Sequence, residues 1–203
     1  MKVGYAVLYD NGELVISKSH TILSKKVYKD YGAFEDISVP WENDSQNINK
    51  VNILDQVKSN CMKEWFDDCT NLTSLIDFTN LDVSDCTDFL GMFYSCRSLQ
   101  DISALASWNV SNGKNFSQMF RSCTSLQNIS LQNTLRYLNK EMFEDCNPNL
   151  KIRWKDRNIK TYKDELLDTK KLSLPTKKNF IDIFQVFMYV LFLYILTKYF
   201  IPK

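Results

Sequence analysis

Histidine occurs once in this 203-residue chain, at His20, and glycine and proline are scarce, at five and four residues. A single imidazole excludes a histidine-rich metal site and leaves a nucleophilic thiol with one candidate base, in a region apart from the motifs that follow. So little glycine and proline argues against a low-complexity linker and against a turn-dense sandwich. An excess of charge is missing too. Against 25 basic residues stand 24 acidic ones, so a formal charge of +1 gives no global field toward DNA, RNA or an anionic surface, and no nucleic-acid partner is expected. There is no Gly-rich phosphate loop, no dinucleotide fingerprint and no stripe of basic and aromatic residues, hence no expected cofactor. The start, MKVGYAVLYDNGEL, is broken at Gly4, Tyr5 and Asp10, so no cleavable signal peptide is expected. With 44% hydrophobic residues, the chain can still build one packed domain with an appendage.

What is present is an echo. MFYSCRSL (92–99) and MFRSCTSL (119–126) are preceded by WFDDCTNL (65–72) and followed by MFEDCNPNL (142–150). Phe66, Phe93, Phe120 and Phe143 are separated by 27, 27 and 23 residues, and Cys69, Cys96, Cys123 and Cys146 by the same intervals. Leu72 matches Leu99 and Leu126, Leu75 matches Ile102 and Ile129, and Phe89 matches Phe116. Identity at a fixed spacing with polar variation between is the pattern of stacked repeats. Each coil turns the same few side chains inward and cannot bury them alone. The expected structural ladder is therefore Phe66, Phe93, Phe120 and Phe143, Cys69, Cys96, Cys123 and Cys146, and Leu72, Leu99 and Leu126.

The cysteines read best as packing. No two of the six lie within the two to four residues that zinc sites favour. A disulfide framework needs an oxidising compartment, and the column accounts for four of the six without bridges. A buried thiol is small and weakly donating, which suits a tight interior turn with a stray backbone carbonyl. No catalytic, cofactor-binding or metal residues are assigned. Asp82, Asp85 and Asp88 form at most a weak oxygen cluster and are read as solvated turn residues.

The run LASWNVSNGKNFSQMFRSCTSLQNI resembles the BspA-type leucine-rich repeats of bacterial surface proteins, through Trp108, Asn109, Ser111, Asn112, Asn115, Ser117, Met119, Phe120, Cys123, Leu126 and Ile129. Asp82, Ser84, Asp88, Gly91, Met92, Phe93, Cys96 and Leu99 carry the likeness in the preceding copy. Cys86 and Gly113 depart from it, and Gly113 is expected to loosen its coil by removing a side chain. The last copy is similar to a shorter, 23-residue form of the same repeat. The resemblance, over about residues 48 to 152, implies an α/β or mainly β leucine-rich-repeat solenoid. It also implies a role in attachment at cell surfaces and the binding of other proteins.

The flanks complete this expectation. Residues 1–60 read as an N-terminal β cap, with a hairpin at Asp10-Asn11-Gly12 and a strand at Ile48, Val51 and Ile53. Residues 61–152 hold about three and a half repeats, and 153–178 a cap and tether. Between Phe180 and Leu196 twelve residues are Phe, Ile, Val or Leu, opposed by Asp182 alone. Their insertion gain of about −4 to −7 kcal/mol exceeds the roughly 2.5 to 3.5 kcal/mol cost of the aspartate. A hydrophobic transmembrane helix over 179–201, a single-pass C-terminal anchor, is thus expected. Lys170, Lys171, Lys177 and Lys178 favour a cytosolic repeat domain, with the cell surface as the alternative. The variable positions Asp67 and Asp68, Tyr94 and Ser95, Arg121 and Ser122, and Glu144 and Asp145 form no ladder of one charge. The functional expectation is a non-enzymatic, membrane-anchored protein-recognition module of unknown partner. A cytosol-facing tethered scaffold and, from another class, an enzyme are the alternatives.

Overall fold

The computed structural model describes residues 2–131, 140–154 and 157–159. The chain divides into two units, Met1–Leu166 and Leu167–Lys203, and every described residue belongs to the first. Strands β1 (Lys2–Tyr9) and β2 (Glu13–Ser17) pair antiparallel around Asp10-Asn11-Gly12. Gly12 takes φ +79°, and Asn11 Oδ1 accepts from Glu13 N at 3.2 Å. A β-carbon at residue 12 would press on Asn49, so this turn needs glycine both for its backbone angle and for its close approach. Strand β3 (Val27–Glu35) pairs antiparallel with the outer side of β1. β4 (Lys50–Ile53) runs parallel to β2, and β6 (Ser74–Ile76) parallel to β4, giving the order β3-β1-β2-β4-β6. β5 (Val57–Lys58) pairs with β7 (Leu81–Asp82). β8 (Asn128–Leu131), β9 (Lys151–Trp154) and β10 (Arg157–Ile159) form a separate three-stranded sheet.

This architecture corrects the expected fold class. The described residues contain no α-helix, only short 3₁₀ turns, and the parallel ladder that a leucine-rich-repeat solenoid would carry along its whole length is split among three sheets. The break has a local cause. Residues 101–103 stand one interval after β6 and one before β8, yet they form no strand. Asp101 Oδ1 accepts from Ser103 N and Asp101 Oδ2 from Ser103 Oγ, both at 2.8 Å. This side-chain turn starts the 3₁₀ segment Ser103–Leu105 and competes with the ladder for the backbone.

The anchor and the membrane location are corrected as well. No helix among the described residues is long and apolar enough to cross a membrane, and residues 179–201 lie outside the described residues. Apolar composition alone does not make a spanning helix: Lys178, Asp182, Gln185 and Tyr189, at spacings of four, three and four, would share one face of a helix.

The repeats are joined chiefly through turn peptides. Phe66 N donates to Met92 O at 2.9 Å, and Phe93 N, in the same peptide unit as Met92 O, donates to Met119 O at 2.9 Å. Phe120 N then donates to Met142 O at 2.9 Å. Parallel files run from Glu64 N to Leu90 O and Gly91 N to Ser117 O, and from Asp68 N to Tyr94 O, Ser95 N to Arg121 O and Ser122 N to Glu144 O. The peptides between them close local turns, such as Cys69 N to Phe66 O at 3.3 Å. That alternation needs left-handed backbone at fixed intervals: Glu64, Gly91 and Gln118 have φ 57°, 57° and 59°, and Asp68, Ser95, Ser122 and Asp145 have 53°, 56°, 61° and 59°.

The main core follows these rows. Phe66 and Phe93 stack with centroids 5.4 Å apart, Phe93 and Phe120 at 5.6 Å, and Phe120 and Phe143 at 5.6 Å. Leu72, Leu99 and Leu126 are fully buried beside them. A second pair, Phe89 on Phe116, stacks at 4.9 Å and 7°. Gly113 makes room for it, because a β-carbon there would overlap the Phe116 ring. The expected loosening at Gly113 is therefore replaced by a filled site. At the other end Trp41 stacks on Phe66 at 6.3 Å, and its Nε1 donates to Trp65 O at 2.6 Å.

Candidate functional site: a groove across three repeats

The thiols of the Cys row face inward and are spoken for. Cys96 Sγ donates to Phe66 O at 3.1 Å, Cys123 Sγ to Phe93 O at 3.0 Å and Cys146 Sγ to Phe120 O at 2.9 Å, each reaching back one repeat. All six cysteines are free thiols, and only Cys61 is not buried. Burial pushes the Cys96 and Cys123 thiols well above the ordinary range, and Cys86 and Cys146 up to about 12. Protonated at neutral pH, they are poor nucleophiles and poor metal ligands. His20 faces Asp30 instead, with Nε2 and Oδ2 2.7 Å apart.

Asp82, Asp85 and Asp88 do not converge as a cation site. Asp82 Oδ1 accepts from Ser84 N and Asp88 Oδ1 from Leu90 N, each at 2.9 Å, while Lys58 pairs with Asp85 at 2.7 Å and Asp82 at 3.6 Å. Among the described residues no group of three or more His, Cys, Asp or Glu is placed to hold a metal ion.

The structure draws another set together. A groove of about 250 Å³ is lined by Glu64, Asp67, Gly91, Tyr94, Gln118 and Arg121. These are two adjacent columns sampled in three successive repeats. Asp67, Tyr94 and Arg121 follow the core phenylalanines Phe66, Phe93 and Phe120, whose burial turns the next residue outward. Glu64, Gly91 and Gln118 sit at the left-handed turn that precedes them.

Arg121 holds one end through Glu144 at 3.0 Å and Asp145 at 3.4 Å, and its guanidinium carbon lies 6.0 Å from the Tyr94 ring centroid. Its Nε is buried with no acceptor among the described residues, and so is Asp67 Oδ1 with no donor. Burial, together with the neighbouring carboxylates of Asp68 and Glu64, pushes the Asp67 carboxyl up to about 6.

The sequence places Asp67, Tyr94 and Arg121 among the variable surface positions, which form no ladder of one charge, and so no site is expected there. Glu64 and Gln118 are not singled out in the sequence, and Gly91 enters there only as a residue of the repeat pattern. The available signal was a glycine at the one position where the neighbouring copies carry long polar side chains.

No curated protein and no solved structure matches the chain. A family match does exist, and it covers residues 31–154, which include the repeats, the groove and the aromatic end around Trp41. The chain therefore belongs to DUF285, described as Mycoplasma protein of unknown function.

Proposed function

We propose that this protein is a non-enzymatic protein-recognition module whose binding face is the outer surface of the repeats. The observation that carries this reading is the groove itself. Its six lining residues occupy equivalent positions of three repeats yet differ in every copy, while the buried Phe, Cys and Leu beneath them do not. Such a division lets the surface change without disturbing the core, which is how repeat proteins bind. The resemblance of Trp108 to Ile129 to BspA-type repeats, a family associated with attachment and protein binding, supports recognition over chemistry. The test is affinity capture with the full chain, comparing it with a variant carrying Asp67→Lys, Tyr94→Ala and Arg121→Glu. A partner retained by the first and lost by the second, with both chains folded by circular dichroism, supports the reading; equal capture by both overturns it.

A second reading is favoured by one observation. Glu64 and the raised Asp67 share a groove, the pattern of a general acid beside a second carboxylate. The groove is smaller than the roughly 300–1,000 Å³ of most small-molecule sites, and Asp67 owes its shift to burial and crowding by surface acids. Acid–base hydrolysis by this pair would vanish in both Asp67→Asn and Glu64→Gln.

A further inference from the structure

The groove has more character than a generic contact surface. Its charge is uneven along its length: Glu64 and Asp67 make one end acidic, with Asp68 and Glu42 close enough to raise the Asp67 carboxyl further. The cation at the other end is neutralised by Glu144 and Asp145. Lys63 lies 3.7 Å from Glu64 in a pair exposed on both sides, which holds little charge back from a ligand. Two polar atoms, Asp67 Oδ1 and Arg121 Nε, are withdrawn from solvent without partners among the described residues, one an acceptor at the acidic end and the other a donor at the opposite end.

Size and floor complete the description. Repeats stack at 5.4 and 5.6 Å in the row beneath, so the groove spans two such intervals, about the reach of three extended residues at roughly 3.3 Å each. Gly91 leaves the floor open between Glu64 and Gln118, where a β-carbon would meet only Glu64 Cγ at 3.5 Å and Tyr94 Cβ at 3.7 Å.

We propose that the groove takes an extended segment of a basic peptide, with a lysine or arginine side chain seated between Glu64 and Asp67. This rests on the recognition reading and names its ligand class. Charge complementarity selects the occupant. An acidic peptide would bring like charge to two carboxylates, and a divalent cation would lack the three-ligand group that is absent among the described residues.

The experiment is a fluorescence-anisotropy titration of the full 203-residue chain. The probes are two end-blocked, labelled hexapeptides, one alternating arginine with glycine and one alternating glutamate with glycine, at pH 7.5 and low salt. The arginine peptide is expected to bind and the glutamate peptide not to. Asp67→Asn weakens the arginine peptide by at least about tenfold. Gly91→Gln does the same while keeping every charge, because Gln118 already holds the equivalent left-handed backbone with that side chain. Glu35→Gln, an equal loss of charge on exposed β3, leaves binding unchanged. Equal binding of both peptides, insensitivity to Asp67→Asn and Gly91→Gln, or equal weakening by Glu35→Gln overturns the proposal. If that happens while the outer-face triple variant still loses its partner in capture, the ligand class is wrong and the recognition reading stands. If capture is also unaffected, both fall.

Discussion

Cys123 shows how much one small side chain does here. Its sulfur is fully buried and gives a donor to Phe93 O. Replacing it by alanine removes the sulfur and with it the donor, and a destabilisation of about 1–3 kcal/mol is expected in chemical denaturation. Serine keeps the donor and should cost less than alanine. In the native protein a thiol reagent should modify Cys61 quickly and the other five only after unfolding. Asp67 acts in the opposite sense, through a charge the fold disfavours. An unfolded aspartate loses its proton near its ordinary value of 3.8, and the folded one near 6, so between those pH values the folded state holds the extra proton. Stability should fall as pH rises through that window and level off above it. Asp67→Asn removes the effect. Because the side chain is only partly buried, the gain at pH 7 is discounted to about 1 kcal/mol, roughly 2–4 °C in Tm, and vanishes at pH 3.5.

At the scale of elements, the turns rather than the strands set the stacking. Gly113 and Phe116 form one such device, and Gly113→Ala should cost about 1–3 kcal/mol by forcing the Phe116 ring off Phe89. Differential scanning calorimetry would show it as a lowered midpoint. Here the sequence was legible in part. The Asn11-Gly12 turn has only a few physical solutions, and the 27-residue interval fixes which Phe, Cys and Leu lie in a row. The partition into three sheets was not legible, because it depends on Asp101 closing a side-chain turn where Ser74 and Asn128 begin strands. All three residue types favour turns, so their identity does not decide the matter. The groove was hidden for another reason. It needs two columns read together, and a glycine in a turn is ordinarily explained by its backbone.

At the scale of the whole described unit, the N-terminal strands matter as a closure. Phe34, Trp41 and Trp65 meet edge to face at 4.9, 5.6 and 5.9 Å and cover the first ring of the phenylalanine row. Trp41→Phe keeps most of the covering area but deprives Trp65 O of its indole donor. A loss of about 1–3 kcal/mol is expected, with the change in near-ultraviolet circular dichroism confined to the aromatic signal.

The files of turn peptides bear on charge as well as on cohesion. In an ordinary sheet neighbouring files of peptides point in opposite directions and nearly cancel, whereas here the adjacent files through Glu64, Phe66 and Asp68 all point the same way, with about 3.5 D in each peptide. Their electropositive amide ends are directed toward the last repeat and their electronegative carbonyl ends toward the first, where the indole of Trp41 caps one of them. The alignment that binds the repeats together therefore leaves the carbonyl ends of these files at the first repeat, the pole at which a cation is favoured over an anion.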